Sequence, residues 1–150
     1  MQINFKKLNS RAVMPRKAHA TDAGFDLTAT SMEIDEYGNF SYGTGIAVEI
    51  PEGYVGLLFP RSSNCKQNLI LTNGVGVCDS GYRGEIFFKF KIAIGVTENE
   101  DEMDEELETY GIGDRIGQLI IMPIPAIEFI ETDKLSDSDR GAGGYGSTGK

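Results

Sequence analysis

Basic charge is what this sequence is short of. Against 23 Asp and Glu it has 14 Lys and Arg, a formal charge of −9. Much of the excess sits in one run, TENEDEMDEELET, carrying Glu98, Glu100, Asp101, Glu102, Asp104, Glu105, Glu106 and Glu108. Without that run the chain is close to neutral. It has no general basic face, which argues against nucleic-acid binding through the phosphate backbone. Cysteine and histidine are scarce too. The two cysteines, Cys65 and Cys78, match no metal spacing and make a poor disulfide framework. Both thiols read as small packing residues, which points to a reducing cytoplasm. The only histidine, His19, lies in a polar loop and reads as a surface residue. No apolar run approaches the ~20 residues of a membrane span. The N-terminal MQINFKKLNSRAVMPRK contains no apolar core of a secretory signal.

What remains is a soluble-type composition, 40% hydrophobic and 25% charged over 150 residues, enough for one domain, 1–150, with a real core. Helical periodicity is nearly absent. The segments INFKKL, TGIAVEI, YVGLLFP, GEIFFKFKIAI and RIGQLIIMPI are rich in β-branched and aromatic residues and read as strands. Turn signals fall between them at Glu36-Tyr37-Gly38-Asn39, Pro51-Glu52-Gly53, Asn73-Gly74 and Ile112-Gly113-Asp114. In GEIFFKFKIAI, Lys89 and Lys91 alternate with Phe88, Phe90 and Ile92, so one face is covered and the other is polar. The pattern predicts an all-β sandwich or jelly-roll-like barrel. One short helix is expected after Pro60-Arg61, capped by Ser62 or Ser63. From about residue 136 to 150 the chain is polar and glycine-laden, and reads as a mobile arm.

Five segments carry candidate chemistry. The first is NGVGVCDSGYRGE. Asn73 precedes Asp79 by six residues, an even spacing that puts both on one face if the chain stays extended. Gly81 loosens the following turn, and Tyr82 adds a flat ring. An amide, a carboxylate and an aromatic plate would then face one cavity. The second is the arm RGAGGYGSTGK, where glycines free the backbone to approach a ligand. Arg140 suits phosphate oxygens, Ser147 and Thr148 offer hydroxyls, and Tyr145 could stack on a base. Gly144 to Lys150 also fits G-x-x-x-x-G-K, but no strand precedes it and the sequence ends at Lys150, so a Walker loop is not expected. The third is Phe59-Pro60-Arg61-Ser62-Ser63, a possible anion cradle at a helix start. The fourth is Gly113-Asp114-Arg115-Ile116-Gly117-Gln118-Leu119, with Asp114 and Arg115 read as a local pair and Gln118 as an amide aimed into a site. The fifth is Ala20 to Leu27, ATDAGFDL, where small residues precede Asp26. It could hold water around a metal or merely cap a turn.

With these five in order, ATDAGFDL, PRSS, NGVGVCDSGYRGE, GDRIGQL and RGAGGYGSTG, the chain resembles the homotrimeric dUTP pyrophosphatases over nearly its whole length. The resemblance implies a β-jelly roll and hydrolysis of dUTP to dUMP and pyrophosphate. It casts Asp79 as a buried acid that activates the attacking water at the α-phosphate. It puts Tyr82 beneath the deoxyribose, and Asn73 with the Gly76 backbone at uracil. Arg61, Ser62, Ser63 and Gln118 fall to the phosphates. Arg140, Gly146, Ser147 and Thr148 would clamp the phosphates from the arm, and Tyr145 would cover the base. Asp26 would lie near Mg²⁺, reaching it through water. Each site would draw on three subunits, with no nucleic acid or membrane partner. Tyr145 stands where phenylalanine is commoner, Ser63 and Gly117 replace the usual glycine and alanine, and Cys78 replaces an aliphatic.

The stretch from about 95 to 111 is longer than in minimal family members and resembles the insert of phage-type enzymes. A regulatory protein partner at its acidic residues 98–108 is one expectation for it. A dCTP deaminase of the same fold is the rival reading. Those enzymes place a catalytic glutamate where this chain has Lys89, and an arginine after RSS where it has Lys66. Both differences favour the hydrolase.

Overall fold

The computed structural model describes residues 1–93 and 109–144. Among these residues ten strands form in chain order. They are β1 (Asn4–Lys7), β2 (Phe25–Thr28), β3 (Ser31–Ile34), β4 (Phe40–Gly43), β5 (Ile46–Glu49), β6 (Tyr54–Phe59), β7 (Leu69–Leu71), β8 (Gly76–Cys78), β9 (Phe87–Ile92) and β10 (Arg115–Pro123). One four-stranded sheet has the order β2-β10-β6-β8, a second has β3-β4-β9-β7, and β1 pairs with β5. Every named pair is antiparallel. The fold is thus all-β, in the jelly-roll-like manner expected. Among the described residues no helix is long and apolar enough to cross a membrane.

The four turn signals fall where chain reversals occur. Gly38, Gly53, Gly74 and Gly113 all adopt positive φ, from 67° to 98°, a region open to glycine at little cost. The alternation in β9 also holds: Phe88 and Phe90 are fully buried, while Lys89 and Lys91 face outward. Ile92, however, is exposed at the strand's end. The core gathers Leu27, Ile116 and Leu119 from one sheet and Tyr42, Phe88 and Phe90 from the other. Gly117 on β10 lies against the Phe88 ring, which occupies the space a Cβ would need. This accounts for glycine at position 117, since overpacking a close-packed core is destabilising.

Two expectations need correction. The helix after Pro60 is a five-residue 3-10 turn, Ser62–Lys66, and neither serine caps it; Arg61 stands at the cap position with no side-chain cap bond. Cys65 is exposed on that turn, so only Cys78 is a packing thiol. Tyr110, within the stretch from about 95 to 111, is buried. Its ring meets Tyr42 edge-on at 6.0 Å and its hydroxyl donates to Asn64 Oδ1 at 3.0 Å. The acidic residues 98–108 themselves lie outside the described residues.

Candidate active site

The chain from Leu71 to Phe87 wraps an open cavity of about 230 Å³. It is lined by Asn73, Gly76, Asp79 and Tyr82, with Leu58 and Phe87 among its apolar walls. These four predicted residues do come together, but not as the even spacing implied. The chain is not extended from 73 to 79. The Gly74 N–H donates to Leu71 O at 3.0 Å and the Val75 N–H to Asn73 O at 2.7 Å, so a turn precedes the three-residue strand β8. Asn73 reaches the cavity from that turn, and Asp79 from the far end of β8.

A second turn follows, closed by the Tyr82 N–H donating to Asp79 O at 3.0 Å. Arg83 tightens it by donating from one Nη to Ser80 O and Tyr82 O, at 2.6 and 2.8 Å. The Tyr82 hydroxyl donates to Glu85 O at 2.8 Å, which fixes the ring at the cavity wall. Asp79 is exposed in the single chain, against the expectation of a buried acid. Cys78 beside it is buried. Desolvation, reinforced by the Asp79 charge, pushes its thiol up, so it stays protonated at neutral pH and offers no thiolate nucleophile.

A separate cavity of about 290 Å³ is lined by Asp22, Gly24, Asp26, Arg61, Ser62 and Gln118. Four of these are predicted site residues. β10 sets their register: Gln118 sits opposite both Asp26 on β2 and Phe59 on β6. The Gln118 amide donates to Pro60 O at 3.2 Å, and its oxygen packs where Gly24 leaves no Cβ. Asp26 binds two guanidiniums at once, Arg61 Nε at 3.1 Å and Arg115 Nη1 at 2.9 Å. Arg115 therefore does not pair with Asp114, whose carboxylate instead accepts the Gly111 N–H at 2.7 Å. Arg115 is the Asp26 partner that sequence reading missed, because the two lie 89 positions apart and only the β2–β10 register brings them together. With Nε committed to Asp26, Arg61 keeps one edge of its guanidinium for a ligand, and its Nη1 donates to Ser63 Oγ at 3.3 Å. Ser63 supports Arg61 and does not line the cavity. A five-residue 3-10 turn adds little dipole, so an anion in this cavity would rely on the Arg61 guanidinium.

The two cavities share no lining residue within one chain. Arg140 lines neither of them, and its Nε donates to Gly143 O at 2.9 Å. Tyr145, Gly146, Ser147 and Thr148 lie outside the described residues. His19 is exposed, with its ring 3.5 Å from Asp22. Lys89 bonds Asp35 at 2.8 Å and does not line the first cavity. That contact, with Asn39, holds the Asp35 carboxyl well below the usual carboxylate range. The folded value is depressed, so its stabilising effect is present above the unfolded value of ~3.9 and lost only as pH falls towards the folded one.

A family model described as dUTPase matches residues 10–149. The deoxyuridine 5'-triphosphate nucleotidohydrolase of Nautilia profundicola is 40% identical over 153 residues, covering 100% of both chains. That of Corynebacterium glutamicum is 39% identical, over 99% of this chain and 95% of its own. Among solved structures, a mutant Staphylococcus bacteriophage 80alpha dUTPase with dUpNHpp superposes at a TM-score of 0.79 and 31% identity, over 99% of each chain. A mutant dUTPase from phage phi11 of S. aureus, described with a coordinated structural Mg(II) ion, gives 0.71 at 28% identity, over 89% of this chain and 98% of its own.

Proposed function

The chain belongs to the dUTPase family and is a dUTP diphosphatase, and from that premise we propose how its own residues carry the reaction. Water activated by Asp79 attacks the α-phosphorus of dUTP and releases dUMP and pyrophosphate. The observation that carries this reading is the meeting of Asp79, Asn73, Gly76 and Tyr82 in one cavity. Asp79 accepts the proton of the attacking water as general base, a contribution of typically ~10²–10⁴ in rate. Uracil offers an N3–H donor between two carbonyl acceptors. Asn73 and the Gly76 backbone complement that order, and cytosine reverses part of it. A site built on such hydrogen bonds rejects the wrong pattern by roughly 10⁴–10⁵. Tyr82 lies flat beneath the deoxyribose and leaves no room for a 2′-hydroxyl.

Arg61, Ser62 and Gln118 take the phosphates, with Arg61 oriented by Asp26 and, through it, by Arg115. Mg²⁺ fits this second cavity as an ion carried on the triphosphate rather than chelated by protein. Among the described residues no group of three or more His, Cys, Asp or Glu is set to hold a metal. Both Asp26 oxygens already accept from arginines, yet each keeps a lone pair for a metal-bound water. Asp26 would hold the ion that way, and when bound it would neutralise phosphate charge and polarise the phosphoryl oxygens.

The site is completed by other copies of the chain in a homotrimer. Three observations support this: the two cavities are separate within one chain, Asp79 is exposed, and an apolar segment stands uncovered after β10. There Phe129 is 95% exposed and Ile130 and Leu135 are each 80% exposed. Fully burying such a side chain is worth about 1.5–3 kcal/mol, so a neighbouring protomer is the natural cover. The phosphate cavity of one protomer then faces the nucleoside cavity of the next, and the arm from about residue 136 closes over both.

Pyrophosphate release measured across dUTP, UTP, dCTP and dTTP tests the assignment. Turnover is expected with dUTP, with the other three poor. Ammonia release from dCTP would move the chain to the deaminases, a reading that Lys89, tied to Asp35 and outside the cavity, already disfavours.

A further inference from the structure

We propose that Glu85 is a positioning residue that fixes the Tyr82 ring and thereby sets the preference for deoxyribose over ribose; this rests on the reading of Tyr82 given above. Glu85 lines the nucleoside cavity, yet its carboxylate is occupied with the scaffold. Its Oε1 accepts the N–H of Gly45 at 2.7 Å. Gly45 forms the bend between β4 and β5 at a φ of 65°. On the other side stands Gly43, where a Cβ would come within 2.6 Å of the same oxygen. The carboxylate therefore sits in a notch that Gly43 keeps open.

The main chain of Glu85 serves the tyrosine. Its carbonyl accepts the Tyr82 hydroxyl at 2.8 Å, and Gly84 between them leaves the space a Cβ would take from that hydroxyl. The next residue, Ile86, is buried and stitched to the same bend. Its N–H donates to Ile46 O at 2.9 Å, and its carbonyl accepts the Thr44 N–H at 3.2 Å and the Thr44 hydroxyl at 2.8 Å. The plate beneath the sugar is thus anchored through one carbonyl to a rigid corner, and the Glu85 carboxylate locks that corner. Removing the carboxylate strands the Gly45 N–H without its acceptor and frees the Glu85 carbonyl to shift. The role needs an acceptor oxygen and no charge, so a glutamine amide serves equally.

Steady-state kinetics on dUTP and UTP with Glu85→Ala, Glu85→Gln and Tyr82→Phe test this, with thermal melts alongside. The ratio of kcat/KM for dUTP over UTP is expected to fall roughly tenfold or more in Glu85→Ala, because displacements of an ångström at a positioned group carry costs of that order. KM for dUTP should rise more than kcat falls. Glu85→Gln should keep the ratio within about threefold, since it retains the acceptor. Tyr82→Phe, which severs the same link from its other end, should narrow the ratio as Glu85→Ala does. An unchanged ratio in Glu85→Ala overturns the proposal, and so does a Glu85→Gln enzyme as indiscriminate as the alanine variant. If Glu85→Ala fails to fold, an unchanged ratio in Tyr82→Phe overturns it instead. A wild-type enzyme that does not distinguish dUTP from UTP would refute the reading of Tyr82 itself, a separate result.

Discussion

Asp79→Asn is expected to bind dUTP with nearly unaltered affinity and to turn it over at least ~10²-fold more slowly, the lower end of general-base contributions. The amide preserves the size of the side chain, so the turn from Asp79 to Tyr82 and the strand β8 should be undisturbed. That turn is closed by the main-chain oxygen of residue 79, which the substitution leaves in place. What is lost is the proton acceptor. Pre-steady-state measurement should therefore show normal binding followed by a slow chemical step, with kcat reduced and the dissociation constant unmoved. Turnover near wild type would remove Asp79 from its role.

Ending the chain before Arg140 should leave a folded trimer with kcat/KM for dUTP reduced by about 10²–10³, the scale on which preorganised charge stabilisation is lost. Residues 136–142 are exposed, and among the described residues no fully buried core residue lies beyond Leu119. The melting temperature should thus barely change. The apolar segment through Leu135, which the trimer needs, is kept in the truncated chain. Retained activity would refute the arm as part of the site, and dissociation to monomers would show that it holds the assembly together instead.

Much of this architecture was legible from local signals. β5, β6, β9 and β10 come from runs of β-branched and aromatic residues, and the four turns come from glycines that the backbone holds at positive φ. β2, β3, β4 and β7 were not legible. They are three or four residues long, too short for a period to declare itself, and β2, β4 and β7 each pair with a strand distant in sequence. The same limit explains the site. Asn73 and Asp79 were rightly joined but for the wrong reason, because Gly74 turns the chain between them. Arg115 was given to its neighbour Asp114, since adjacency is visible in a sequence and strand register is not. Ser62 was expected to cap a helix, but the segment closes as a 3-10 turn. Glu85 went unremarked, as nothing in RGE says that its carboxylate will meet a turn forty residues earlier.

Mixing inactive protomers tests the shared site most directly. Asp79→Asn chains with intact arms and truncated chains with intact Asp79 are each close to inactive alone. Unfolded together and refolded, they should recover a substantial part of wild-type dUTP turnover, because an arm from one copy closes over the carboxylate of another. If the mixed trimers form and stay as inactive as their parents, the arm serves its own chain and the account of a site built from several protomers is wrong.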